Sequence, residues 1–404
     1  MRSCRPDGLV SAASLTGRED LCYRVGMKES LKAQAMQPFL VMDILEAANA
    51  MDTPVIHLEV GEPDFDTPEC IQEAAIKAMQ SGKTHYTHSL GIPELREAIV
   101  RHYHDTYGVR VDPEQVLVTA GSSPALLIAF GVLLDAGSEI IMTDPYYACY
   151  PNFATFIDAC PRLIPTRGDG FQLDPDKVKA AVAERTRAVL INSPANPTGV
   201  CLDREHMRGL SELGLPIISD EIYHGLVYEG EQHTMLEFTD NTIVVGGFSK
   251  AYAMTGWRLG WAIFPKNLVR PAQKMQQNLI ICAPATAQWA GVAALTEAGP
   301  DVERMRLIFA HRREIMLEAL AASGLQVEVR PNGAFYVLVN MEGVTDDSYR
   351  LAFDILKNTG VGVTPGKDFG PATARYIRFS YANSEANIRE GVRRVGEYIG
   401  KLAC

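Results

Sequence analysis

From about Thr67 to Leu295, short apolar runs alternate with amphipathic stretches. Val116-Leu117-Val118-Thr119, Ile140-Ile141-Met142-Thr143, Ala188-Val189-Leu190-Ile191, Ile217-Ile218 and Ile243-Val244-Val245 read as buried strands. The stretches between them carry helix signals. Thr67-Pro68-Glu69 offers a capping hydroxyl, a proline at the first helical position and an acid in the first turn. Ile71, Ala75, Ala78 and Met79 then share roughly one face, and Pro93-Glu94-Leu95 opens another helix in the same style. This alternation predicts an α/β fold: a mostly parallel sheet with helices on both faces.

The pattern changes after Gly299-Pro300. Residues 301–320 read as a charged amphipathic helix, and Val327-Glu328-Val329 and Phe335-Tyr336-Val337-Leu338-Val339 as strands joined by the turn Pro331-Asn332-Gly333. Tyr376-Ile377-Arg378-Phe379-Ser380 is a further strand, and a terminal helix starts near Ser384. Together these predict a smaller α+β unit.

Composition adds limits. The 404 residues are 47% hydrophobic and 22% charged, enough for two domains and ordinary for an enzyme. A net charge of −11 argues against a nucleic-acid partner, because phosphate binding needs a basic face. The cysteines form no C-x-x-C pair, which argues against a zinc site or a disulfide framework and for a reducing cytoplasm. The most apolar stretch, Leu279 to Leu295, is broken by Pro284, Thr286 and Gln288 and reads as a buried loop and helix, not a membrane span. His85 and His88, or His102 and His104, invite a metal reading, but His85 and His88 flank Tyr86 in what reads as a loop, and no acidic partner completes a site there. Residues 1–27 precede every motif; they have scattered arginines and no apolar core of a secretory signal, and read as a disordered extension.

Chemistry gathers at the strand ends, where parallel α/β sheets bind ligands. Lys250 follows Ser249 just after Ile243-Val244-Val245, with Arg258 close behind. A lysine at a buried strand end has a lowered pKa and can form a Schiff base. A serine and an arginine beside it can hold a phosphate. The combination points to pyridoxal phosphate, its aldehyde on Lys250 and its phosphate on Ser249 and Arg258. Gly121-Ser122-Ser123 opens an apolar helix, whose N-terminus adds a third side to that phosphate cup. Asp220 ends its strand as a carboxylate that is costly unless paired, and a pyridinium nitrogen would pair it.

These motifs, in this order, resemble the fold-type I, class I and II aminotransferases, in particular their aspartate-aminotransferase-like bacterial branch; the likeness runs from about Ser30 to Leu402. The resemblance implies a large domain over 67–295 with a mostly parallel seven-stranded sheet flanked by helices. It implies a smaller α+β domain from 28–66 and 296–404. It implies that Tyr223 and Asn196 bond the cofactor's phenolate oxygen and that Tyr146 stacks on its ring, with Tyr147 and Tyr150 as nearby rivals. Arg378 then takes the substrate α-carboxylate, with Gly61 allowing backbone to approach. Tyr86 reaches the phosphate of a neighbouring subunit, so the expected assembly is a homodimer with shared sites.

The implied reaction moves the amino group of an L-α-amino acid to a 2-oxo acid by a ping-pong mechanism, with Lys250, Asp220 and Tyr223 as the catalytic set. A β-lyase acting on carbon–sulfur bonds, and a strict aspartate aminotransferase, remain as alternatives. Some aspartate-specific relatives carry a lysine where this chain has Ser123, which weakens the second. A transcription-regulator effector domain would need a DNA-binding module that the N-terminal segment is too short to supply. A nucleotide-binding oxidoreductase would need a G-x-G-x-x-G after the first strand, which is missing.

Overall fold

The computed structural model describes residues 27–402; the expected extension over residues 1–26 lies outside them. The main sheet has seven strands: β1 (Val116–Thr119), β2 (Glu139–Asp144), β3 (Cys160–Pro165), β4 (Thr186–Asn192), β5 (Ile217–Asp220), β6 (Thr242–Gly247) and β7 (Gly260–Ile263), in the spatial order β1-β7-β6-β5-β4-β2-β3. Neighbours run parallel except at β7, which is antiparallel to both β1 and β6. Strands β1, β5, β6 and β7 are buried along their whole length. Burial on both faces is why they appear in the sequence as unbroken apolar runs. The helix Ser122–Leu133 packs on this sheet and against the helix Lys266–Leu279.

A smaller antiparallel sheet holds β8 (Tyr336–Asn340), β9 (Thr364–Pro365) and β10 (Tyr376–Ser380) in the order β9-β10-β8. The N-terminal segment packs with it. Ile56–His57 pairs in parallel with Val361–Gly362, and the helix Leu40–Asn49 lies against β9 and the helix Ser348–Thr359. The Asp368 carboxylate accepts the backbone N–H groups of Leu40 (3.0 Å) and Val41 (3.2 Å), satisfying orphan donors at that helix start.

Two local expectations are corrected. Thr67 does not cap the helix Glu69–Gln80, which begins after Pro68 with no side-chain cap. Its hydroxyl instead donates to the Ala253 carbonyl (2.6 Å) and accepts from Trp257 Nε1 (2.9 Å). Val327-Glu328-Val329 is a bend, not a strand. Glu328 accepts from Arg167, Asn340 and Tyr376, and those side-chain bonds fix the segment without a ladder. Among the described residues no helix is long and apolar enough to cross a membrane.

Candidate active site

The C-terminal ends of β4, β5 and β6 open into a cavity of about 360 Å³. Its lining includes Gly61, Ser122, Ser123, Asn196, Asp220, Tyr223, Ser249, Lys250, Arg258 and Arg378, so ten expected site residues from distant parts of the chain meet in one space. The helix Leu40–Asn49 roofs it with Val41, Met42 and Leu45, preceded by Phe39.

Lys250 follows β6 and is partly buried. Its Nζ donates to the Gly61 carbonyl at 2.6 Å. Burial lowers its pKa to about 8; Glu62 opposes this, Arg378 and Arg258 add to it, and Asp220 opposes it. An amine near 8 is neutral for part of the time at neutral pH, as a nucleophile or base requires.

Asp220 is 3% exposed. Oδ2 accepts from the Tyr150 hydroxyl (2.7 Å) and Oδ1 from the Ile222 N–H (3.2 Å). Burial raises its carboxyl to about 6, while Tyr150, the Ile222 amide and Lys250 pull it down. Ionisation here is therefore favoured by a cation placed against it.

Arg258, Ser249, Ser122 and Ser123 also line this cavity, and the helix Ser122–Leu133, whose first N–H groups have no partner within the helix, begins among them. Gly121 has φ of +101°, and a Cβ at that position would stand 2.6 Å from Arg258 Nη2. Only glycine lets the turn and the guanidinium share this space. Arg258 Nη1 also donates to the Thr255 carbonyl at 2.9 Å.

Arg378, from β10, is 3% exposed. Nη1 donates to Asn196 Oδ1 (2.8 Å), and Nη2 to the Glu59 carbonyl (2.7 Å) and Thr364 Oγ1 (3.0 Å). Its Nε is buried with no partner among the described residues. The guanidinium stands over Tyr336, 4.3 Å from the ring centroid. Tyr223 and Tyr336 share a hydroxyl–hydroxyl bond of 2.9 Å, with Asn196 Nδ2 at 3.5 Å from the Tyr223 hydroxyl. A cationic donor and a phenol pair thus face the same cavity.

The chain matches the family model for aminotransferase class I and II over residues 53–395. It belongs to the class I and II aminotransferases. It is 41% identical to a (5-formylfuran-3-yl)methyl phosphate transaminase of Methanocaldococcus jannaschii, over 90% of this chain and 98% of that protein. It is 38% identical to an aspartate/prephenate aminotransferase of Thermus thermophilus, over 92% and 99%. The solved Thermus thermophilus aspartate aminotransferase with maleate superposes with a TM-score of 0.88 at 38% identity, covering 92% of this chain and all (100%) of that one. This aminotransferase is accordingly a pyridoxal-phosphate-dependent transaminase. The site fits that cofactor: a buried carboxylate that needs a cation, a lysine of lowered pKa and a helix start among Arg258, Ser122, Ser123 and Ser249.

Two expected residues stand apart. Tyr146 is not among the lining residues; its N–H is bonded to the Phe369 carbonyl at 2.9 Å. Tyr147 and Tyr150 are the tyrosines of that turn that line the cavity. Tyr147 also packs edge-on against Phe39 at 6.0 Å. Tyr86 is 82% exposed and does not line the cavity of its own chain. Sequence reasoning missed Tyr336, Glu59 and Glu62, which also line this space. Tyr336 sits in the predicted strand after Asn332-Gly333, but nothing local marks which face of that strand turns to the site.

Proposed function

We propose that this transaminase transfers the amino group of a neutral L-α-amino acid to a 2-oxo acid in two half-reactions of a ping-pong cycle. Lys250 would hold the cofactor aldehyde, and its Nζ, in the neutral form, would serve as the base that takes the proton from the substrate Cα. When bound, pyridoxal phosphate supplies an electron sink for the charge left at Cα. Asp220 would face the ring nitrogen and hold its proton, with Tyr150 fixing the carboxylate. Asn196 and Tyr223 would bond the phenolate oxygen. Ser122, Ser123, Ser249 and Arg258 would hold the phosphate. Arg378 orients the substrate through its carboxylate, with Asn196 and Thr364 fixing the guanidinium. The roof formed by Phe39 and the helix Leu40–Asn49 excludes water from Cα. The large unit over 67–295 and the smaller one from 28–66 and 296–404 are the two bodies between which this cavity lies.

The observation that carries the reading is the common cavity of Lys250, Asp220, Arg258 and Arg378. Borohydride treatment of the yellow enzyme should fix the cofactor on Lys250; labelling of a different lysine overturns the assignment. Turnover should require a 2-oxo acid, and lyase products released without one would favour the β-lyase alternative.

The preference for a neutral donor rests on the lining. Its cations are Lys250, Arg258 and Arg378, all with roles, and the roof is apolar. A distal carboxylate there would be left unpaired at high cost. Comparing kcat/KM for aspartate, alanine, methionine and phenylalanine tests this. An aspartate preference above ~100-fold, or ~2.7 kcal/mol, would overturn it.

The exposure of Tyr86 supports a homodimer in which it completes the partner's phosphate site. Heterodimers of Tyr86→Phe and Lys250→Ala subunits should then contain one undamaged site; no gain over either parent counts against sharing. A cytoplasmic location belongs to the same reading, in keeping with the free thiols of Cys70, Cys149, Cys201 and Cys282.

A further inference from the structure

Behind β5 lies a second cavity of about 310 Å³ that shares no lining residue with the first. Successive side chains of an extended segment point to opposite faces. Asp220 therefore enters the front cavity and Glu221 the rear one. The rear space is enclosed by the helix Pro93–Tyr107, the end of the helix Ala285–Thr296 and the first turns of the helix Gly299–Ala322. Tyr103, Tyr107, Tyr252 and Trp261 make much of its wall aromatic.

Glu221 is 2% exposed and has no role in the transfer reaction. Its Oε1 is fully used: it accepts from Ser219 Oγ (2.8 Å), Thr234 Oγ1 (3.1 Å) and the Met235 N–H (3.0 Å). Its Oε2 is buried with no hydrogen-bond partner among the described residues. His224 does not supply one, although its Nδ1 stands 3.4 Å away. Gln232 Nε2 donates to the Tyr107 hydroxyl (2.6 Å), and that hydroxyl shares a 2.6 Å bond with His224 Nδ1. The nitrogen facing Glu221 is thus already engaged with Tyr107. Burial, with His102 and His233 adding, lowers His224 to about 3, so the ring is neutral. At the mouth, Arg306 and Glu303 pair with each other through two contacts of 2.7 Å and leave no net charge.

A buried carboxyl oxygen with no partner, walled by aromatic faces, matches one ligand chemistry: a cation that binds as the carboxyl gives up its proton to solvent. A cationic N–H satisfies the oxygen, and the surrounding methyl or methylene groups carry positive charge to the rings. We propose that the rear cavity is a second binding site, separate from the catalytic one, for a small alkylammonium ion whose N–H bonds Glu221 Oε2 and whose alkyl groups pack on Tyr103, Tyr107 and Trp261.

The probe is trimethylammonium, a tertiary amine that cannot form an imine and so cannot report on Lys250. Calorimetric titration into the holoenzyme should show one saturable site, and tetramethylammonium, which has no N–H, should bind more weakly. Glu221→Gln should weaken trimethylammonium by at least ~10-fold, the loss of one charge-assisted bond. Val302→Phe, which fills the cavity from the opposite wall, should also remove binding, and decides alone if Glu221→Gln fails to melt cooperatively. No saturable binding would mean a cavity holding water only and would overturn the proposal. Affinity unchanged by both variants, or lost instead in Asp220→Ala, would place the ion elsewhere and overturn it equally.

Discussion

Asp220 and Glu221 are adjacent carboxylates at the end of one strand, both almost fully buried, and their surroundings are built for different ends. Asp220 has one donor on each oxygen and the Lys250 ammonium within range, and burial lifts its carboxyl only to about 6. Glu221 has three donors crowded on one oxygen and Asp220 as a like-charged neighbour; burial lifts it to about 8. Equal depth therefore does not give equal charge. The front carboxylate is poised to ionise when a cation meets it. The rear one keeps its proton at neutral pH until something supplies a donor. The side of the strand, more than the residue type, decides which carboxylate can do chemistry.

The contrast can be broken from its front end first. Lys250→Ala should abolish transamination while leaving the fold intact, as measured by turnover and circular dichroism. Asp220→Ala should cost about 4 kcal/mol, close to a thousand-fold in kcat, because the ring nitrogen loses its partner. A mutant within tenfold of wild type would reduce Asp220 to a turn residue that merely holds the Ile222 amide. Tyr150→Phe should cost roughly tenfold, the worth of one hydrogen bond to a charged group. It should also shift the kcat–pH profile toward higher pH on the acid limb, since Tyr150 helps to keep Asp220 ionised.

The last effect belongs to the rear and falls on stability, not on turnover. Glu221 has its carboxyl raised from 4.5 in the unfolded chain to about 8 in the native one. Between those values the unfolded chain releases a proton that the native state keeps. The stability this group provides is complete below 4.5 and is lost as pH rises through about 8. Glu221→Gln removes that dependence, so its Tm relative to wild type should climb across this range; a constant difference would show that Glu221 is ionised throughout.

Much of the front was legible in the sequence because strand ends announce themselves. An unbroken apolar run followed by Asp220, or by Ser249-Lys250, has few meanings in a parallel sheet. What stayed hidden depends on direction and on distant packing. Tyr146 and Tyr147 are chemically identical neighbours, and only the backbone path after β2 decides which one turns to the cavity. Tyr336 needs its strand's facing, which is set by pairing with β10. Thr67 looked like a helix cap because the Ala253 carbonyl that claims its hydroxyl is remote in sequence. Val327–Val329 has strand-like residues, yet Glu328 binds Arg167 and Tyr376 instead of leaving the backbone free to pair. The rear cavity is created by helices that carry no motif, so Glu221 reads as nothing more than the residue after Asp220.

Arg378 has a consequence for how the molecule is made. Its guanidinium joins Asn196 of the turn after β4, Thr364 of the small sheet and the Glu59 carbonyl, a partner 319 residues earlier in the chain. Closing a contact of that span requires nearly the whole polypeptide to be in place. During synthesis all seven strands of the main sheet can emerge and pair while the Arg378 contacts are still unmade. The cavity is therefore completed only at the end of translation, after the strand ends that open into it already exist.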